Sequence, residues 1–309
     1  MEKQKLIILT GPTAVGKTAL SVQLARKINA EIISADSMQI YRHMDIGTAK
    51  IKKEEMQGVR HHLIDVLDPS EDCNVFLFSK LAKAAVKDIV SRGKIPLIVG
   101  GTGFYIQAVL YDIDFSDAEC AGAYRQELER IAKEEGNASL HERLKEIDPV
   151  SYETIHENNV KRVIRALEYY HDNGTPISDH NMTERQKESP YDFRYFVLTD
   201  DRKKLYDRID RRVDEMMAQG LLEEVKQLRE KGYAKDLVSM QGLGYKELLD
   251  HLDGSCDLDE AVRIIKRDTR HFAKRQMTWF RRERDVIFLN KADYAYDDRL
   301  ILEKMLEYL

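Results

Sequence analysis

The stretch KLIILTGPTAVGKTALSVQLARKIN, residues 5–29, decides the fold. Lys5-Leu6-Ile7-Ile8-Leu9 is a continuous apolar run ending at Gly11-Pro12, as expected of a parallel strand covered on both faces. Ala19 to Asn29 follows, with Leu20, Leu24 and Ile28 at four-residue steps along one helix face. Between strand and helix, Gly11 to Thr18 fits G-x-x-x-x-G-K-S/T at every position. Its glycines let the backbone curl so that amides converge on phosphate oxygens, and the helix N-terminus adds partial positive charge. Gly11, Thr13, Ala14, Val15, Gly16, Lys17 and Thr18 are therefore expected to hold a di- or triphosphate. Lys17 supplies a full charge, and the Thr18 hydroxyl is a ligand for Mg²⁺. The motif does not choose the reaction, because a P-loop holds a diphosphate equally well when that diphosphate leaves.

Outward from this loop, Glu31 to Ser34, Leu63 to Val66 and Ile95 to Val99 read as further strands. Asn74 to Ser91 reads as a helix carrying Phe78, Leu81, Ala85 and Ile89 on one side, with Gly93 at its end. Strand-helix alternation up to residue 111 points to a parallel α/β sheet. The pattern then changes. Tyr124 to Glu135, Ser139 to Ile147 and Asn159 to His171 read as helices with no strand between them, until strand signals return at Phe193 to Leu198 and Val286 to Leu289. The expected fold is α/β: a P-loop NTPase-like parallel sheet flanked by helices, with an inserted all-helical domain. The core is expected at 1–111 and 192–309, and the insertion at 112–191.

At 309 residues, 43% hydrophobic and 33% charged, the chain is long enough to bury a core without metal or disulfide staples. No apolar run reaches the roughly 20 residues that span a bilayer, and the N-terminal run is too short for a signal peptide. Cys73, Cys120 and Cys256 are far apart, odd in number and without zinc spacing, as expected of reduced thiols in the cytoplasm. The net charge is -5, yet residues 263–284 hold nine Lys/Arg and two acids. That local excess suits phosphate contact with nucleic acid. Phe272, Trp279 and Phe280 within it suit either base stacking or the packing of a long helix.

Asp36 follows the second strand and Thr102 follows Gly100-Gly101, so both fall at the sheet edge that carries the P-loop. Asp36 suits a general base, a water-mediated Mg²⁺ contact or a turn cap. Thr102 offers a hydroxyl on a close-approaching loop. Arg208 and Arg212, four apart on one helix, suit either a diphosphate clamp or a solvated basic face.

Together these segments resemble the tRNA dimethylallyltransferase family. The matching pieces are GPTAVGKT at 11–18, ISADSMQIYRHMDIGTAK at 33–50, HHLIDVLDP at 61–69, PLIVGGTGFY at 96–105, RVIRALE at 162–168, MQGLGYKE at 240–247 and AKRQMTWFR at 273–281. The resemblance implies transfer of a dimethylallyl group from dimethylallyl diphosphate to the exocyclic amine of the adenosine 3′ of the tRNA anticodon. It implies Mg²⁺ as cofactor and a catalytic set of Asp36, Thr102 and Lys17. It implies tRNA contacts from Asp36, Ser37, Met38, Gln39, Thr102 and Arg125, and from Lys161, Arg162, Val163, Ile164 and Arg165. Further contacts are implied for Gln241, Gly242, Leu243, Gly244, Tyr245 and Lys246, and for Lys274, Arg275, Gln276, Met277, Thr278, Trp279, Phe280 and Arg281. The insertion is expected to grip the anticodon stem-loop. The chain ends at Leu309 without the zinc finger of some eukaryotic relatives, as in the bacterial form, and a cytoplasmic monomer is expected. A P-loop small-molecule or nucleotide kinase is the alternative. Prenylation of free adenine nucleotides and RNA binding gated by the P-loop complete the set.

Overall fold

Strand β1 (Gln4–Thr10) buries its last five residues, and β2 (Ala30–Ala35) is buried at every position. Such strands need cover on both faces, which a parallel sheet with crossover helices supplies. The computed structural model describes residues 3–113 and 122–309. Together with β3 (His61–His62), β4 (Ile95–Gly100), β5 (Tyr191–Thr199) and β6 (Val286–Asn290), these strands form one parallel sheet in the order β3-β2-β4-β1-β5-β6.

The chain divides into two compact units, Met1–Leu110 with Pro190–Leu309, and Tyr111–Ser189. The first unit holds the sheet and α1 (Lys17–Lys27), α2 (Val75–Ser91) and α3 (Gly103–Leu110). The second holds α4 (Ala123–Glu134), α5 (Asn137–Glu142), α6 (Leu144–Ile147), α7 (Pro149–Thr154), α8 (Val160–Asn173) and α9 (Ile177–Gln186). The chain returns to the first unit with α10 (Arg202–Ala218), α11 (Leu221–Glu230), α12 (Tyr245–Leu252), α13 (Leu258–Phe280) and α14 (Asp298–Leu306). Ile7, Leu9, Leu20, Leu24, Leu97, Phe196, Ile209 and Ile301 share one core in the first unit. Leu128, Leu140, Leu144, Val163 and Leu167 form the core of the second.

Two expectations about elements are corrected. Leu63 to Val66 is no strand: Leu63 and Asp65 have left-handed φ of 63° and 56°, which breaks an extended run, and β3 is the preceding His61–His62. Ser139 to Ile147 is two short helices, α5 and α6, rather than one. Cys73 and Cys256 are free thiols, and Cys120 lies outside the described residues. Among the described residues no helix is long and apolar enough to cross a membrane.

Candidate active site

The strand register builds the site. Thr10 and Ala35 both pair with Gly100, so the loops after β1, β2 and β4 leave the sheet side by side. Gly100 permits this approach, because a Cβ there would stand 2.2 Å from the Ala35 carbonyl oxygen. The P-loop turns on Gly11 and Gly16, with φ of 146° and 98°. A side chain at Gly11 would also strike the Leu198 carbonyl oxygen at 2.5 Å.

A cavity of about 450 Å³ lies over these loops, entirely within the first unit. Thr13, Ala14, Gly16, Lys17 and Thr18 line it, and so do Asp36, Ser37, Met38, Gln39 and Thr102 from the neighbouring strand ends. The Lys17 ammonium donates to the Gly11 and Pro12 carbonyls, both at 2.9 Å. Burial, and after it the charge of Arg212, pushes its pKa down from 10.5 to about 8, against an upward pull from Asp36. Asp36 is both turn cap and cavity group. Its Oδ1 accepts from the Met38 amide at 2.9 Å and the Gln39 amide at 3.4 Å, and the residue lines the cavity. The Ser37 amide donates to Thr102 Oγ1 at 3.2 Å, tying the β2 and β4 loops together.

Of the two arginines, only Arg212 lines the cavity. Arg208 donates from Nε to the Ala14 carbonyl at 3.0 Å and ion-pairs with Asp200, whose side chain is fully buried. The expected two-arginine clamp is thus reduced to Arg212, with Arg208 bracing the P-loop from behind. Val15 is 1% exposed and packs in the core, so it serves the cradle through its backbone alone.

The lining also has an apolar group, beside the polar Thr269, Arg275 and Gln276. Ile209, Val213, Met216, Leu221, Ile265 and Phe272 reach the cavity from α10, α11 and α13. Gln241, Gly242, Leu243, Gly244, Tyr245 and Lys246 also line it. Tyr245 corrects its expected RNA contact: it is 1% exposed, and its hydroxyl donates to Glu224 Oε1 at 2.7 Å. Glu224, which no motif of the sequence marks, also accepts from the amides of Asp45 at 2.9 Å, Ile46 at 2.8 Å and Gly47 at 3.1 Å. It thereby holds the loop whose Thr48 carbonyl accepts from Gln39 Nε2 at 3.2 Å.

Segment 274–281 does not act as a block. On α13, Lys274, Arg275 and Thr278 are exposed, Arg275 also lining the cavity, and Arg281 is exposed at the helix C-cap, whereas Gln276 and Phe280 are buried. Trp279 packs on Gly103, where a Cβ would stand 2.2 Å from the ring, and Met277 is partly buried. Phe280 and Trp279 therefore pack the helix instead of offering free stacking faces, and Phe272 faces the cavity. Earlier on α13, Arg263, Lys266, Arg267 and Arg270 pair with Glu260, Asp214, Asp268 and Asp210. Lys274, Arg275, Arg281 and Arg282 have no carboxylate partner among the described residues.

In the second unit, Val163 and Ile164 are core residues, which corrects their expected RNA contact; Lys161 and Arg162 are exposed and Arg165 partly so. Arg125 makes a two-pronged pair with Glu168, at 2.8 and 2.6 Å.

No group of three or more His, Cys, Asp or Glu able to hold a metal occurs among the described residues. The side-chain oxygens that line the cavity include the Thr13, Thr18 and Thr102 hydroxyls and the Asp36 carboxylate. That sparse, hard set fits Mg²⁺ held mainly by water and substrate phosphates, not by a protein cage.

The family model described as IPP transferase matches residues 39–283. The tRNA dimethylallyltransferase of Lachnoclostridium phytofermentans is 60% identical over 300 residues, spanning 97% of this chain and 96% of its own. The structure of a tRNA delta(2)-isopentenylpyrophosphate transferase from Staphylococcus epidermidis is similar at a TM-score of 0.73 and 41% identity, covering 99% of this chain and 98% of that one. A eukaryotic dimethylallyltransferase acting on tRNA gives a TM-score of 0.80 at 32% identity, over 93% of this chain and 74% of its own. The chain belongs to the IPP transferase family.

Proposed function

We propose that this chain transfers a dimethylallyl group from dimethylallyl diphosphate to the exocyclic amine of the adenosine 3′ of the anticodon in tRNA, releasing diphosphate. One observation carries the chemistry: the phosphate cradle and the Asp36–Thr102 edge line the same cavity. The carbon–oxygen bond to diphosphate breaks as the carbon–nitrogen bond forms. Lys17, Arg212 and the cradle amides stabilise the charge that gathers on the departing oxygens, usually the largest catalytic contribution. Thr18 and the donor oxygens would hold Mg²⁺, which supplies further charge neutralisation to the leaving group. The attacking amine loses one proton, and Asp36 takes it. The apolar wall of Ile209, Val213 and Met216 receives the five-carbon group and keeps water from the allylic carbon.

The target adenine must leave its stack, which costs a few kcal/mol and less in a loop than in a duplex. Lys274, Arg275, Arg281 and Arg282 hold RNA phosphates, and the helical unit grips the anticodon stem-loop. The test is mass analysis of tRNA nucleosides after incubation with dimethylallyl diphosphate and Mg²⁺, run beside free AMP as acceptor. A prenylated adenosine in tRNA is expected. Asp36→Ala is expected to slow the chemical step by about 10²–10⁴ while leaving tRNA affinity in place. Prenylation of AMP alone, or phosphorylation from ATP without prenyl transfer, refutes the proposal.

A further inference from the structure

Gln276 stands out on α13 because it does the opposite of its neighbours. It is 6% exposed, on the inward face with Ala273 and Phe280, while Lys274, Arg275 and Thr278 around it are exposed. Its Oε1 accepts from the Thr13 amide at 2.8 Å, and its Nε2 donates to the Gly101 carbonyl at 2.9 Å. One end of the side chain thus holds the phosphate loop. The other holds the loop that carries Thr102, whose hydroxyl accepts from the Ser37 amide beside Asp36. The Thr13 amide and the Gly101 carbonyl together demand one acceptor and one donor on the same planar group. Among side chains of this length only Gln supplies both, since Glu lacks the donor, Lys lacks the acceptor and Leu lacks both. The fit is close: a Cβ on Gly101 would stand 2.2 Å from Nε2.

We propose that Gln276 is a positioning residue that fixes the spacing between the diphosphate cradle and the acceptor edge, and so controls whether the allylic carbon meets the amine or water. This rests on the prenyl-transfer function proposed above. With the spacing lost, the carbon–oxygen bond to diphosphate still breaks. A water oxygen then forms the new bond to the same carbon and loses a proton to solvent, giving dimethylallyl alcohol. Misplacements of about 1 Å cost on the order of 10² in rate.

The experiment compares wild type, Gln276→Leu, Gln276→Ala, Gly101→Ala and the Gln276→Ala/Gly101→Ala pair. It measures kcat, KM for donor, KM for tRNA, and the ratio of dimethylallyl alcohol to prenylated tRNA. Leu302→Ala, in the core of α14 away from the cavity, serves as a control for lost stability, with all assays run below each variant's Tm. We expect Gln276→Leu to lower kcat by about 10- to 100-fold and raise the alcohol ratio, with tRNA KM within about twofold of wild type. Gly101→Ala should do the same by displacing the amide, and adding it to Gln276→Ala should cause little further loss, because the clash partner is gone. The control should keep the wild-type alcohol ratio. Wild-type kcat and ratio in Gln276→Leu, full additivity of the pair, or a loss confined to tRNA KM overturns the proposal. Absence of prenylated tRNA with wild-type protein instead sinks the function on which it rests.

Discussion

Lys17 makes the pH dependence of donor capture a quantitative test. Its pKa is pushed down to about 8 by burial and by Arg212. A bound diphosphate is an anion against the ammonium, so it favours the protonated form. Donor affinity is therefore fully present below about 8 and falls as pH rises through that value. With a pKa of about 8, roughly nine-tenths of Lys17 is protonated at pH 7 and roughly one-tenth at pH 9. The kcat/KM for dimethylallyl diphosphate, which reports the free enzyme, should accordingly drop about tenfold between them. The donor contributes little to this limb, because phosphate groups with a last pKa near 6 are already ionised above pH 7. Lys17→Arg keeps its charge throughout, so its profile should be flat over the same range at a lower overall rate, since a planar guanidinium fits the cradle differently. Linkage gives a second readout of opposite sign. The native state releases its Lys17 proton near 8, whereas the unfolded chain holds it to 10.5. The unfolded state binds more protons between these values, so the resulting destabilisation is present below about 8 and is relieved as pH rises toward 10.5. A flat kcat/KM to pH 10, or an equal alkaline drop in Lys17→Arg, would exclude Lys17 as the titrating group.

Glu224→Ala leaves three amides and the Tyr245 hydroxyl without their shared acceptor. Urea unfolding should show a loss of about 3–5 kcal/mol, and a loss below about 1 kcal/mol would remove Glu224 as the latch of the 45–47 loop. Arg212→Ala should raise donor KM by about 10- to 100-fold with little change in Tm, the cost of one charge-assisted contact. Arg208→Ala should do the reverse, costing about 1–3 kcal/mol of stability because the buried Asp200 loses its charged partner and keeps only the Tyr296 hydroxyl and the Asp201 amide; matching donor KM effects in the two variants would contradict their separation. Lys274→Ala/Arg281→Ala should reduce the slope of log tRNA affinity against log salt by about 1–2 and leave donor KM unchanged. An unchanged slope would place RNA elsewhere.

The strand-loop-helix of residues 5–29 was legible because each level of reading agreed: a buried run, two glycines where left-handed or crowded backbone occurs, and a helix with one apolar stripe. The facing residues Asp36 and Thr102 were legible because strand ends of a parallel sheet share an edge. What escaped was governed by contacts far apart in the chain. Glu224 lies 177 to 179 residues from the amides it holds, and in sequence it is one acid on a polar helix face. Motif blocks also hid their internal division. Val163, Ile164 and Leu167 keep a helical core spacing, and so do Ala273, Gln276 and Phe280. That periodicity separates inward from outward residues within segments that a family resemblance treats as single RNA-binding runs.

The same periodicity explains how one helix serves two chemistries. The inward face of α13 contributes Ile265 and Phe272 to the cavity lining and Gln276 to the cradle, while the exposed Lys274 and Arg275 near its end have no carboxylate partner among the described residues. Ile209, Val213, Met216 and Leu221 give the cavity an apolar group beside the polar Arg212, Gln241 and Thr269. Burying a five-carbon chain there is worth about 4 kcal/mol at ~0.8 kcal/mol per carbon. A sugar or nucleotide hydroxyl would instead lose its hydrogen bonds to water on the same wall. The phosphate loop sets what can be held, and the apolar side chains in the same cavity favour a prenyl chain as its cargo.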